Sequence, residues 1–176
     1  MSFFAVKVVK AFVMTTNAVK LKELFSADRI IFPLHSSAKI QVVEELTAVL
    51  VATSQLSEGD IGKFVKEVLA REVLGTTAIG KGIAIPHIRT SLSTGLVGLL
   101  GVSKVGVDFG SLDKKPTHAV FMLASPLAQK DQQIRILGRI AAVANHENFL
   151  RFLLQCKSAQ AVTDLLEEIE DQVPVH

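Results

Sequence analysis

Apolar residues recur along this chain at two spacings, and the changes between them mark out its elements. In "HSSAKIQVVEELTAVLVATSQ", Val42, Val43, Leu46, Val49 and Leu50 recur every three to four residues, which predicts an amphipathic helix. Ser36 or Ser37 stands where a side-chain oxygen can cap a free backbone N–H. "SEGDIGKFVKEVLAREVLG" predicts a second helix, with Ile61, Phe64, Val65, Val68 and Leu69 toward the core. Ser57 and Asp60 resemble a capping box with Asp in place of Glu, and Gly75 is a natural stop. Arg71 suits the negative end of that helix, whereas Glu72 does not, so Glu72 is expected to have a specific partner.

Ahead of these helices, "VKLKELFS" reads as a helical turn and "RIIFPL" as a strand closed by Pro33. After them the pattern changes to continuous apolar runs, "LVGLLGVSK" and "THAVFMLAS", which predict buried strands. The Gly, Asp and Pro of "GVDFGSLDKKP" make the turn between them. Three helices follow. "QKDQQIRILGRIAAVAN" carries Ile134, Leu137 and Ile140 on one side, "ENFLRFLLQ" is shorter, and Ser158 caps "SAQAVTDLLEEIEDQ". Helices, then strands, then helices, with no internal repeat or linker, predict one α/β domain with a mixed β-sheet covered by helices. That architecture alone names no function.

Composition narrows the classes. A chain of 176 residues, 49% hydrophobic and 20% charged, is globular and long enough to bury a core. Its net charge is +2, with 19 basic and 17 acidic residues spread along it, and it has no Trp or Tyr. No basic block or aromatic platform marks a nucleic-acid partner. The single cysteine, Cys156, excludes an internal disulfide and fits a reducing, cytoplasmic setting. Within "MSFFAVKVVKAFVMTTNA", Lys7 and Lys10 sit inside the apolar run rather than ahead of it. Residues 1–17 are therefore read as an N-terminal extension, or as the product of a start upstream of Met14, and not as an export signal. The domain is assigned to residues 18–176. No run approaches the ~18 apolar residues of a membrane span, so direct membrane insertion is not expected.

The candidate chemistry lies in "GTTAIGKGIAIPHIRTS", Gly75–Ser91. Its left end approximates the nucleotide-binding pattern G-x-x-x-x-G-K-[ST], but position 82 is Gly, so the hydroxyl that ligates magnesium is missing. The loop also follows a helix and opens a strand, the reverse of the phosphate-binding context. At the right end, Pro86 fixes its own φ and keeps Ile85 extended, which holds His87 at a strand's end on a stiff base. An imidazole can accept a group covalently and pass it on. Arg89, Thr90 and Ser91 supply a guanidinium and two hydroxyls suited to phosphoryl oxygens.

"REVLGTTAIGKGIAIPHIRTS", with "LKELFSADRI" before it and "VDFGSLDKKPTHAVFMLASP" after it, resembles the enzyme IIA domains of the fructose/mannitol type and of the related nitrogen-regulatory branch. These belong to the bacterial phosphoenolpyruvate-dependent sugar phosphotransferase system. The resemblance implies a three-layer fold, a mixed β-sheet flanked by helices on both faces. It implies that His87 accepts a phosphoryl group from the carrier HPr and passes it to a cysteine on an enzyme IIB domain, with no cofactor, nucleotide or metal. Arg71 matches the family's active-site arginine in the helix before the glycine loop.

Three positions depart from the family pattern. Ile88 stands where a small residue is common, and its bulk would crowd a docking surface. Gln133 stands where a second active-site histidine is usual; it can hydrogen-bond a phosphoryl oxygen but carries no charge. Lys81 is expected to replace that charge, interacting by roughly 4 kcal/mol at ~4 Å and intermediate dielectric. His118 is expected to be structural, His35 and His146 to be cap or loop residues, and Cys156 to be packed. Arg89 and backbone donors of the glycine loop would assist His87, and an apolar rim around Ile88 would meet HPr and IIB. The rival reading is a regulatory binding module that controls a partner protein, favoured by the short stand-alone chain and by Gln133.

Overall fold

The computed structural model describes residues 19–174, so the readings of residues 1–17 lie outside the described residues. Strand β6 (Thr117–Ser125) lies at the middle of the sheet, and its sequence accounts for that position. Every residue from Ala119 to Ser125 is buried, and alternate side chains enter opposite cores. Ala119, Phe121 and Leu123 point to one side, Val120, Met122 and Ala124 to the other, as the two-residue period of a strand requires. A strand buried on both faces reads as a continuous apolar run.

Around β6 the other strands assemble in the order β1 (Ile30–Ile31), β5 (Val97–Val107), β6, β3 (Ile83–Ala84), β2 (Ala78–Gly80), with β4 (His87–Arg89) also paired to β6. β5 runs antiparallel to β6, while β3 and β4 run parallel to it, so the sheet is mixed. Pro86 separates β3 from β4 because it has no N–H to give, yet its carbonyl still accepts from Leu123 N at 2.9 Å. The strand expected to follow the glycine loop and end at His87 is therefore two short strands on one neighbour. "RIIFPL" yields only the two residues of β1.

One face of the sheet is covered by helices α1 (Leu21–Leu24), α4 (Lys130–Asn145), α5 (Phe149–Gln155) and α6 (Ala159–Glu170), and the other by α2 (Lys39–Ala52) and α3 (Ile61–Val73). The expected three-layer α/β fold, helices on both faces, is the observed one. Phe25, Phe121 and Phe149 fill the first core, Phe25 meeting Phe121 edge-on at 5.3 Å. Gly98 permits this packing: a Cβ there would lie 2.6 Å from Leu24 Cγ.

Several local expectations change. Neither Ser36 nor Ser37 caps α2, whose N-cap is Ala38 without a side-chain bond. The backbone N–H groups of His35 and Ser36 instead donate to the carboxylate of Glu45. Ser57 donates to Asp60 at 2.6 Å, but they precede a 3₁₀ turn and do not cap α3 through a side chain. Ser158 does cap α6, accepting from Ala161 N at 3.1 Å. Glu72 has the partners its position demanded: Lys39 Nζ at 3.0 Å, and both the N–H and the hydroxyl of Thr77. Helix α4 is turned by one residue from the expected stripe. Ile134 faces outward, and Gln133, Ile136, Ile140, Val143 and Ala144 form the buried side. Both stripes share Ile140 at helical spacing, so periodicity alone could not separate them.

The long turn after β5 is tied by Asp113. Its carboxylate accepts from Ser111 Oγ at 2.7 Å, Lys115 N at 3.1 Å and, across the chain, Lys81 N at 3.0 Å. These bonds, Ser111's first, hold its carboxyl below the usual aspartate range. A depressed folded-state pKa means the tether is present above the unfolded value and is lost as pH falls through the folded one. Amide shifts of Lys81 and Lys115 followed from pH 6 downward are expected to titrate together, with a midpoint below that of an unstructured aspartate. A midpoint at or above that value would contradict the assignment.

Candidate functional site

His87 opens β4, and its surroundings are set by the ends of three elements. The register pairs His87 with Leu123, Ile88 with Ala124 and Arg89 with Ser125, so β4 and β6 run out side by side. The last turn of α3 and the first turns of α4 stand over that end of the sheet. A crevice at the carboxyl ends of parallel strands is a common place for a site in an open α/β sheet.

The cavity there measures about 670 Å³. Its lining includes Arg71, His87, Arg89, Ser91 and Gln133. Four residues singled out by the sequence, Arg71, His87, Arg89 and Gln133, thus share one cavity although the outermost two lie 62 positions apart in the chain. Arg71 lies in the last turn of α3, its Nη1 donating to the Gly75 carbonyl at 3.0 Å. This anchors the guanidinium while its other N–H groups remain available. Arg89 is exposed, as is Ser91. Thr90 is buried, its Oγ1 accepting from Leu92 N at 3.1 Å, which fixes the turn after β4.

The imidazole itself is half-buried. Its Nδ1 lies 2.8 Å from the Ile85 carbonyl oxygen. A carbonyl can only accept, so Nδ1 carries the proton and donates it. In the neutral ring Nε2 then holds the lone pair. The extended backbone at Ile85, enforced by Pro86, brings that carbonyl two residues back onto the ring. The stiff step read from the sequence therefore sets a tautomer as well as a position.

Gln133 is 5% exposed and donates its Nε2 to the Ile88 carbonyl at 2.7 Å. It ties α4 to β4 across the cavity's edge. Replacing it with Ala leaves that carbonyl unpaired at the cavity's wet margin. The expected cost is about 1 kcal/mol, readable as a fall in the chemical-denaturation midpoint.

Other expectations do not hold. Ile88 is 7% exposed and packs with Val120 and Met122, so it neither crowds a docking surface nor forms an apolar rim. The exposed large apolar residues lining the cavity are Leu74 and Leu127. Lys81 and Gly82 line a different cavity, where Lys81 Nζ donates to Asn145 Oδ1 at 3.1 Å. Lys81 therefore does not replace a charge beside His87, and the glycine loop contributes no donors there. The loop turns before β3, at the opposite end of the β3–β4 run. His118 bonds the Ser103 carbonyl through Nδ1 at 2.9 Å and also lies away from His87. Cys156 is half-buried, its thiol directed to the Phe152 carbonyl and its pKa pushed up by burial. Among the described residues no group of three or more His, Cys, Asp or Glu could hold a metal ion.

Fold and cavity together define a three-layer α/β domain that presents one imidazole, oriented through Nδ1, in a cavity also lined by two arginines. Residues 23–169 match the family described as "Phosphoenolpyruvate-dependent sugar phosphotransferase system, EIIA 2", and the chain belongs to that family. It is 32% identical over 150 residues, 85% of the chain, to the PTS system fructose-specific EIIABC component of Bacillus subtilis (strain 168), and spans 23% of that relative's length. Among solved structures, the nitrogen regulatory protein IIA-Ntr from Neisseria meningitidis superposes with a TM-score of 0.76 at 26% identity, covering 83% of this chain and 98% of that one. The enzyme IIAMTL of Escherichia coli, solved in complex with phosphorylated enzyme IIBMTL, has the same fold, with a TM-score of 0.68 at 20% identity. That match covers 81% of this chain and 96% of the solved one.

Proposed function

We propose that His87 is a transient phosphoryl carrier. The observation that supports this is the Nδ1–Ile85 bond, which leaves Nε2 as the nucleophile in a cavity lined by Arg71 and Arg89. The Nε2 lone pair attacks phosphorus on the phosphohistidine of an HPr-like carrier. The donor's N–P bond breaks, and its electron pair returns to the donor ring. Nδ1 keeps its proton throughout, held by the Ile85 carbonyl. Arg71 and Arg89 neutralise the phosphoryl oxygens, and charge-assisted bonds of this kind are stronger than neutral ones. Transfer onward forms an S–P bond to a thiolate of an enzyme IIB domain and breaks the N–P bond at His87. Gln133 gives or accepts a hydrogen bond without adding charge. Leu74 and Leu127 are the apolar part of the surface that meets both partners in the cytoplasm.

The second reading is regulatory: the phosphorylation state of His87, or the fold alone, controls a partner protein. The match to a nitrogen regulatory IIA-Ntr, which covers 98% of that chain, favours it, as does the neutral residue at position 133. Incubation with labelled phosphoenolpyruvate, enzyme I and HPr tests the carrier step. Acid-labile label on the chain is the expected result. Its absence, under conditions that label a related IIA domain, would leave only the regulatory reading.

A further inference from the structure

A second cavity, of about 480 Å³, opens at the end of the sheet away from His87. That volume suits a small molecule. Its rim carries two ammonium groups, Lys81 and Lys115, on loops far apart in sequence. The Asp113 carboxylate binds the backbone N–H of both lysines, which fastens the two loops together. The loop bearing Lys81 adopts three consecutive left-handed conformations, with φ of 87° at Gly80, 54° at Lys81 and 77° at Gly82. A lysine rarely takes that conformation, and such strain gathers at ligand clamps. An anion in this cavity would be attracted by both lysines.

The remaining lining is polar and directional. Asn145 Oδ1 accepts from Lys81 Nζ, so the Asn145 amide still has N–H groups to give. His146 Nδ1 accepts from Asn148 N at 3.4 Å, which puts the neutral ring's proton on Nε2. His118 Nδ1 donates to Ser103, so its Nε2 is an acceptor. Gly82 and Gly106 close on that ring, and a Cβ at either would lie 3.3 Å from it. Glu147 is the one acid in the lining. Donors for an anion thus stand beside an imidazole that can receive a hydroxyl proton. We infer that this cavity binds a small phosphate monoester bearing a hydroxyl group, held by Lys81 and Lys115 with His118 accepting from the hydroxyl. The site shares no lining residue with the His87 cavity and does not depend on phosphotransfer.

Amide spectra of the ¹⁵N-labelled full chain, titrated with glycerol 3-phosphate at constant ionic strength, provide the test. Lys81, Gly82, Lys115 and Glu147 are expected to shift saturably, while glycerol moves none of them and inorganic phosphate binds several-fold more weakly. Lys81→Asn, which suits a left-handed backbone, and Lys115→Gln are each expected to weaken binding about tenfold. Shifts reproduced by sodium chloride, shifts confined to residues around Arg71 and Arg89, or wild-type affinity in both lysine variants would overturn the site. Equal affinity for inorganic phosphate would overturn the hydroxyl contact to His118.

Discussion

A His87→Gln variant is expected to take up no phosphoryl group from phosphoenolpyruvate, enzyme I and HPr, while unfolding within about 1 kcal/mol of the parent. The reasoning separates chemistry from stability. His87 is half-buried, and its ring makes one side-chain hydrogen bond among the described residues, to the Ile85 carbonyl. A glutamine amide can make the same bond, so the fold loses about one exposed contact, and such changes are small. What glutamine lacks is a nitrogen lone pair able to form a bond to phosphorus. The activity loss is therefore total rather than graded. Retained acid-labile label in His87→Gln would place the acceptor elsewhere. His118, whose Nε2 is likewise unprotonated in the neutral ring, is the residue to examine then.

Arg71→Gln is expected to slow transfer from phospho-HPr by roughly ten- to a hundred-fold without preventing it. A hydrogen bond to a charged group contributes about 1.5–3 kcal/mol, and each ~1.4 kcal/mol is a factor of ten in rate. The substitution also removes the bond from Nη1 to the Gly75 carbonyl, but that contact is exposed and a glutamine can partly replace it. Single-turnover rates at saturating and limiting phospho-HPr distinguish the roles. An orienting guanidinium lowers the saturating rate, whereas a residue that only docks the carrier lowers the rate at limiting carrier alone. An unchanged saturating rate would assign Arg71 to docking.

Much of this arrangement was readable in the chain because the strongest signals were local. The continuous apolar run of β6, the three-to-four spacing of α2 and α3, and the Ser158 cap each depend on a few adjacent residues. The Pro86–His87 step was legible for the same reason, since proline restricts its neighbours whatever the surrounding fold. Harder to read was anything requiring two distant segments to be placed together. The Glu72 partners, Lys39 and Thr77, meet only when α2 packs against α3 and β2 turns back. Lys81 was expected to replace the charge missing at position 133, but the β3–β4 run between it and His87 places it at the other end of that run, in a different cavity. Ile88 was expected at a docking surface because a small residue is common at its place in the family, yet strand alternation sends it inward. Its neighbour Gln133, which stands where the family usually has a histidine, also bonds the Ile88 carbonyl, a contact the sequence did not reveal.

Nitrogen-15 spectroscopy of the imidazole gives the most direct test of the account. Long-range ¹H–¹⁵N correlations on the unphosphorylated protein at neutral pH should find the His87 proton on Nδ1 and a bare Nε2. After incubation with phosphoenolpyruvate, enzyme I and HPr, phosphorus coupling should appear at Nε2 with Nδ1 still protonated. A proton resting on Nε2 before the reaction, or phosphorus on Nδ1 after it, would contradict the mechanism.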